Sequence, residues 1–205
     1  MVIGFQPSLL DLDEDVAIGP LGARVRRTWL SGGAWLDVRR GWLTGADALF
    51  QRLLDVVPWR AERRQMYDRV VAVPRLLCFY GEDEQLPDPA LDGARRALDA
   101  HYATELGERF ATAGLCLYRD GRDSVAWHGD RIARTVVQPL VATVSLGSKR
   151  RFLLRPKGGG ASVRFDPDKG DLLVMGGQCQ RTWEHTVPKV ADAGPRISIT
   201  VRHSA

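Results

Sequence analysis

The chain has 205 residues, enough for one domain with a full core, and its 44% hydrophobic and 26% charged residues exclude a disordered or fibrous protein. No apolar run approaches the roughly 20 residues of a membrane-spanning helix, and the start, MVIGFQPSLLDLDEDVAIG, lacks the early positive charge of a secretory signal, so a cytoplasmic protein with no membrane role is expected. A net charge of +4 and a pI near 9.2 are compatible with a polyanionic partner, while three scattered cysteines (Cys78, Cys116 and Cys179) suggest neither a zinc knuckle nor a disulfide framework.

The first twenty residues carry no regular pattern. Gly32-Gly33 predicts a turn, followed by a strand over Ala34–Arg39. In GADALFQRLLDVVPW, Leu49, Phe50, Leu53, Leu54 and Val57 recur at helical spacing until Pro58 stops the helix. A second helix is predicted from Pro89 to Phe110, with Leu91, Ala94, Leu98, Tyr102, Leu106 and Phe110 along one side. After Gly114 the texture changes. Short apolar segments (GLCLYRD, LVATVSL, RRFLLRP, SVRF, DLLVMGG, HTVP, RISITVR) alternate with turns such as DGRD, PKGGGA and DPDKGD. That spacing predicts a β-sandwich or barrel. The chain therefore divides into an N-terminal region of helices and a lid, 1–113, and a β-rich core, 114–205, within one domain.

Two histidines and one carboxylate on one face are the usual ligand set of non-haem iron(II) oxygenases. In SVAWHGDRIAR, His128 and Asp130 stand at i and i+2, which places both side chains on one side of an extended segment. His185, heading the short segment HTVP, is the candidate third ligand. His101 falls in the predicted helix and reads as a helix-face residue. In PRISITVR, Arg196 and Arg202 are six apart and so share a strand face. That face is either solvated or turned inward; if inward, the two arginines need anions, because an unpaired buried charge is costly. A dicarboxylate such as 2-oxoglutarate would supply two carboxylates in the planar geometry that guanidinium matches.

These motifs together resemble the AlkB-like Fe(II)/2-oxoglutarate-dependent dioxygenases, nucleic-acid demethylases of alkylated bases. The segments that carry the resemblance are LYRDGRDSVAWHGD, PLVATVSLGSKRRFLLRPK, GDLLVMGGQCQRTWEHTVP and PRISITVR, with VPW and PRLLCFYGE similar to the family's lid. The resemblance implies an α+β fold with a double-stranded β-helix (jelly-roll) core, N-terminal helices and a nucleotide-binding lid. It implies Fe(II) held by His128, Asp130 and His185. For the cosubstrate 2-oxoglutarate it implies Arg196 and Tyr118 on the distal carboxylate, Arg202 near the carboxylate that chelates iron, and Cys116 beside them. The implied substrate is DNA or RNA carrying alkylated bases, repaired by oxidation of the N-methyl group, and the protein is expected to be a monomer.

Three departures concern the substrate more than the chemistry. Cys116-Leu117-Tyr118 stands where the family has Asn-x-Tyr, and a thiol is a poorer donor than an amide. Arg131-Ile132 follows the His-x-Asp where acidic residues are usual. DEQLPDPALD replaces the aromatic-rich segment that packs on the flipped base, leaving Trp127, Tyr80, Phe79 and Trp59 as candidate platforms, with Arg131 as a further substrate contact. Arg60, Arg63, Arg64, Lys149, Arg150 and Arg151 are candidate phosphate contacts. Two rival readings remain: a dioxygenase of this fold acting on a small molecule or protein side chain, and a cupin-like binding module, against which the paired arginines argue.

Overall fold

The computed structural model describes residues 15–66, 69–105, 109–130, 136 and 138–203. In chain order the elements are β1 (Ala17–Ile18), β2 (Arg26–Trp29), β3 (Ala34–Arg39), β4 (Leu43–Thr44), α1 (Ala46–Val56), β5 (Arg60–Met66), β6 (Arg69–Tyr80), α2 (Pro89–His101), β7 (Thr112–Tyr118), β8 (Val125–His128), β9 (Val141–Gly147), β10 (Phe152–Pro156), β11 (Val163–Phe165), β12 (Leu172–Gly177), α3 (Cys179–Thr182), β13 (Trp183–Val187) and β14 (Arg196–Arg202). The larger sheet has the order β2-β3-β12-β9-β14-β7-β6-β5, and the smaller β11-β10-β13-β8. From β7 onward the chain passes back and forth between them: β7, β9, β12 and β14 enter the larger sheet, β8, β10, β11 and β13 the smaller. This is the double-stranded β-helix.

The N-terminal part contributes more than helices and a lid. Its strands β2 and β3 extend the larger sheet beyond β12, and β6 and β5 extend it beyond β7. Neither addition has a strong apolar alternation to announce it: every residue of β2 is exposed, and β5 (RAERRQM) is almost wholly polar.

One face of the larger sheet buries Leu115, Leu117, Ile197 and Ile199 against Leu49, Phe50 and Leu53 of α1 and Leu91 and Leu98 of α2. Each fully buried leucine or isoleucine contributes about 1.5–3 kcal/mol of transfer free energy. Leu36, Val141, Phe152, Leu154, Met175 and Trp183 form a second cluster, drawn from both sheets. α1 runs as its periodicity requires and stops at Val56, two residues before Pro58. α2 begins at an Asp88 cap whose carboxylate accepts the Ala90 N–H at 2.9 Å, with Pro89 in the first turn.

The second helix is shorter than predicted, ending at His101 rather than Phe110. Tyr102 is drawn into the core instead: its ring stacks on Trp35 with centroids 6.1 Å apart, and its hydroxyl donates to Asp37 Oδ2 at 2.9 Å. Phe110 is still buried, after a turn, with its N–H donated to the Asp99 carboxylate at 2.9 Å. Leu106 lies outside the described residues. No described helix is long and apolar enough to cross a membrane.

Candidate active site

The other face of the larger sheet is polar, and strand parity makes it so. On β14, Arg196, Ser198, Thr200 and Arg202 alternate with the core residues Ile197, Ile199 and Val201. Antiparallel register places Arg196 opposite Tyr118, Ser198 opposite Cys116 and Ser145, and Thr200 opposite Gly114 and Thr143. The same face continues onto β6, where Phe79 stands opposite Gly114 and Leu77 opposite Cys116.

The smaller sheet closes over this stripe. His185 of β13 pairs directly with His128 of β8, while Val187 pairs with Val125, so β8 has one extra residue between the two pairs. This bulge lets both Val125 and His128 reach the interior, since each lines the cavity between the sheets. The His128 and His185 rings lie 4.3 Å apart by centroid, and Phe152 stacks on His185 at 5.2 Å. His128 Nδ1 is 2.8 Å from the Ala126 carbonyl, which can only accept. Nδ1 therefore carries the proton and Nε2 the free lone pair. His185 Nε2 is 3.7 Å from Asp130 Oδ2. Burial pushes the His185 pKa down to about 4, helped by His128 and Arg202 and opposed by Asp130, so the ring is neutral near pH 7 and its lone pair is available. Asp130 gives its other oxygen to Arg202, with Nη2 to Oδ1 at 3.0 Å. Among the described residues no three His, Cys, Asp or Glu side chains are drawn into a closed ligand shell; His128, Asp130 and His185 converge, with Asp130 leaning on Arg202.

Arg196 is 1% exposed. Its Nη2 donates to Ser145 Oγ at 2.8 Å, while Nε and Nη1 have no hydrogen-bond partner among the described residues. Burial pulls its pKa down, and the Tyr118 ring, 5.3 Å from its Cζ, partly offsets this. Tyr118 is pushed up to about 12, chiefly by burial, which keeps its hydroxyl protonated and able to donate. Arg150, also near that ring at 5.5 Å, is buried and donates to the carbonyls of Asp120, Asp123 and Pro188. It is a structural tie rather than a phosphate contact. The inner cavity, about 100 Å³, is lined by Arg196, Tyr118, Cys116, Thr200 and His185 among others.

A larger groove of about 560 Å³ lies outside it, bounded by Ala72, Val73, Phe79, Gly114 and Trp127. The two compartments share Arg75, Cys116, Val125, His128, Asp130 and Arg202, so two of the candidate ligands, His128 and Asp130, stand at the junction, while His185 lines the inner cavity alone. Gly114, in the outer groove, packs closely on Arg202: a Cβ there would come within 3.2 Å of Arg202 Nη1. Trp127 lines the groove with its ring 4.0 Å from Arg155 Cζ, a guanidinium that Glu184 holds at 2.6 Å.

Of the residues expected from the sequence, His128, Asp130, His185, Arg196, Arg202, Tyr118 and Cys116 come together, and Trp127 lies beside them. Tyr80 does not. Adjacent side chains of a strand point to opposite faces, and Tyr80 packs with the helix-side core while Phe79, 59% exposed, lines the groove. Trp59 packs on the same core. Arg131 lies outside the described residues, and so does the Arg64 side chain. Arg60, Arg63 and Arg151 are exposed, and Lys149 pairs with Asp168 at 2.7 Å. Arg75 and Ser145 belong to the site and were not anticipated. Arg75 Nη1 donates to the Ser124 carbonyl at 3.1 Å and its Nε is buried without a hydrogen-bond partner among the described residues. The available signal was a polar residue at the site-facing parity of an otherwise apolar strand.

A jelly roll with convergent imidazoles and a buried arginine defines a class, and the family model of the 2OG-Fe(II) oxygenase superfamily matches residues 40–202: the chain belongs to that superfamily. It is 30% identical to the Homo sapiens alpha-ketoglutarate-dependent dioxygenase alkB homolog 3, over 96% of this chain and 73% of that protein. It is 31% identical to the Arabidopsis thaliana DNA oxidative demethylase ALKBH2, over 71% of this chain and 58% of that protein. Within the superfamily it is thus AlkB-like. Among solved structures it superposes on OsALKBH1 with a TM-score of 0.60 at 14% identity, covering 87% of this chain and all of that one. A prolyl hydroxylase of Trichoplax adhaerens gives the same score at 16% identity, covering 82% of each chain. At such identities the likeness is one of fold alone.

The enzyme class is therefore an Fe(II)- and 2-oxoglutarate-dependent dioxygenase. The residues fit both groups. Imidazole nitrogen and carboxylate oxygen suit Fe(II). A buried guanidinium with two unpartnered nitrogens calls for an anion.

Proposed function

We propose that the protein is an oxidative demethylase of N-alkylated bases in DNA or RNA, with His128, Asp130 and His185 holding Fe(II). When bound, the iron with O2 and 2-oxoglutarate supplies an oxidant for a C–H bond that acid–base chemistry cannot break, yielding succinate, carbon dioxide and a hydroxymethyl group that leaves as formaldehyde. The protein's own residues do the rest. Arg196, fixed by Ser145, neutralises the distal carboxylate of 2-oxoglutarate, and the protonated Tyr118 hydroxyl donates to it. Arg202 orients Asp130. The outer groove receives the base, out of its stack, with Phe79 and Trp127 as apolar walls.

The observation that carries this reading is the open junction of the two compartments at His128 and Asp130, in a chain whose relatives at about 30% identity are named as AlkB homologs and DNA oxidative demethylases. The fold alone does not choose the substrate, because a prolyl hydroxylase and OsALKBH1 superpose with equal scores. Sequence similarity chooses the base. The test is turnover of a panel of N-methylated oligonucleotides (single-stranded DNA, duplex DNA, RNA), with free methylated nucleotides as controls. Oligonucleotide-dependent formaldehyde supports the proposal. Coupled turnover of free small molecules alone overturns it.

A further inference from the structure

After His128 the β8 ladder ends, and Gly129 and Asp130 continue without a strand partner. Asp130 still needs a fixed backbone if its carboxylate is to meet two histidines. Its N–H is donated to the side-chain Oε1 of Gln180 at 3.0 Å. Gln180 is 4% exposed, and a buried primary amide is costly unless bonded. The amide is bonded at each end, Oε1 to the Asp130 N–H and Nε2 to Met175 Sδ at 3.6 Å, and the Gln180 backbone carbonyl separately accepts from Lys157 Nζ at 2.9 Å. Gln180 belongs to α3, the single turn that leads into β13, five residues before His185. One short turn therefore touches the carboxylate candidate directly and carries the strand of the distant histidine.

Gly129 lies close against this turn. A Cβ there would lie 3.3 Å from the Gln180 carbonyl oxygen and 3.5 Å from Lys157 Cε and Nζ. A side chain there would have to press on the Gln180 carbonyl by a few tenths of an ångström.

We infer that Gln180 is a positioning residue of the metal site, setting where Asp130 stands relative to His128 and His185, with Lys157 bracing the turn from outside. The inference rests on the reading of those three residues as iron ligands. Groups that orient a ligand, without touching the metal, change metal affinity by about ten- to a hundredfold when lost. Binding therefore reports the role without catalysis.

The experiment is titration of the apoprotein with Co(II), followed by its d–d absorption, in the presence of 2-oxoglutarate. Asp130→Ala tests the site itself, and a loss of Co(II) binding is expected. Gln180→Met keeps the side-chain volume and removes the acceptor, and a weakening of about tenfold is expected. Gln180→Glu keeps an oxygen at the same place and should stay within about threefold of the wild type. Lys157 is exposed, so Lys157→Ala preserves the fold and should weaken binding severalfold even if Gln180→Met does not fold. Wild-type affinity in Asp130→Ala would refute the ligand assignment. Loss in Asp130→Ala with wild-type affinity and spectrum in both Gln180→Met and Lys157→Ala would refute the role of Gln180 alone.

Discussion

Replacing Arg196 by methionine has two consequences of opposite sign. Arg196 is 1% exposed, with one guanidinium nitrogen on Ser145 and two without a hydrogen-bond partner among the described residues. If those two nitrogens hold the distal carboxylate of 2-oxoglutarate, the substitution removes two charge-assisted hydrogen bonds, each contributing about 1.5–3 kcal/mol. Even the lower figure for both, about 3 kcal/mol, corresponds to a loss of affinity on the order of a hundredfold. In the apoprotein the same charge is desolvated and poorly compensated, so methionine of similar length should stabilise it by on the order of 1 kcal/mol, a rise of about 2–4 °C in Tm for a chain of this size. Calorimetric titration with 2-oxoglutarate in the presence of Co(II), beside thermal melting of the apoprotein, reads both quantities. Unchanged 2-oxoglutarate affinity together with a Tm lowered by several degrees would refute the reasoning, because it would make Arg196 a structural ion rather than an anion seat.

Cys116→Asn restores an amide donor beside Ser198 and Tyr118 and is expected to lower the KM for 2-oxoglutarate severalfold; an unchanged or raised KM would show that the thiol does not face the cosubstrate. Phe79→Ala removes an exposed groove wall and should raise the KM for a methylated oligonucleotide by about tenfold with little change in Tm, whereas Tyr80→Ala, on the core face, should lower Tm and leave KM nearly unchanged. His185 is held at about 4, below the 6.5 of a free imidazole, so the unfolded chain binds the extra proton first. The stability of the metal-free protein is therefore full above pH 6.5 and falls as the pH drops toward 4, by up to about 3 kcal/mol. Denaturant unfolding across that range checks this, and His185→Gln should flatten the profile.

How much of this was legible depended on whether a residue's role leaves a pattern. The strand Ala34–Arg39 and the helix ending before Pro58 follow from a Gly-Gly turn and a proline stop signal, and both occur. Arg196 and Arg202 share a face because six is an even number of strand residues, and both line the inner cavity. The predicted extension of the second helix failed because periodicity counts Tyr102 as one more apolar position, while its hydroxyl bonds Asp37, distant in sequence. Strands β2 and β5 escaped notice because each is exposed or polar along its length and is held by backbone pairing to a neighbour, not by a buried face. Tyr80 and Phe79 are adjacent, and only the register of β6 against β7 decides which one faces the groove. Gln180 leaves no sequence signal, because its partner is a backbone N–H fifty residues away.

The central claim is that one junction couples 2-oxoglutarate oxidation to removal of a methyl group from a base. The direct measurement is the ratio of formaldehyde to succinate formed from an N-methylated oligonucleotide with Fe(II), for the wild type and for His128→Ala. A ratio close to one in the wild type, with both products abolished in His128→Ala, is expected. Succinate formed without formaldehyde on every methylated oligonucleotide, or formaldehyde release that survives His128→Ala, would contradict the account.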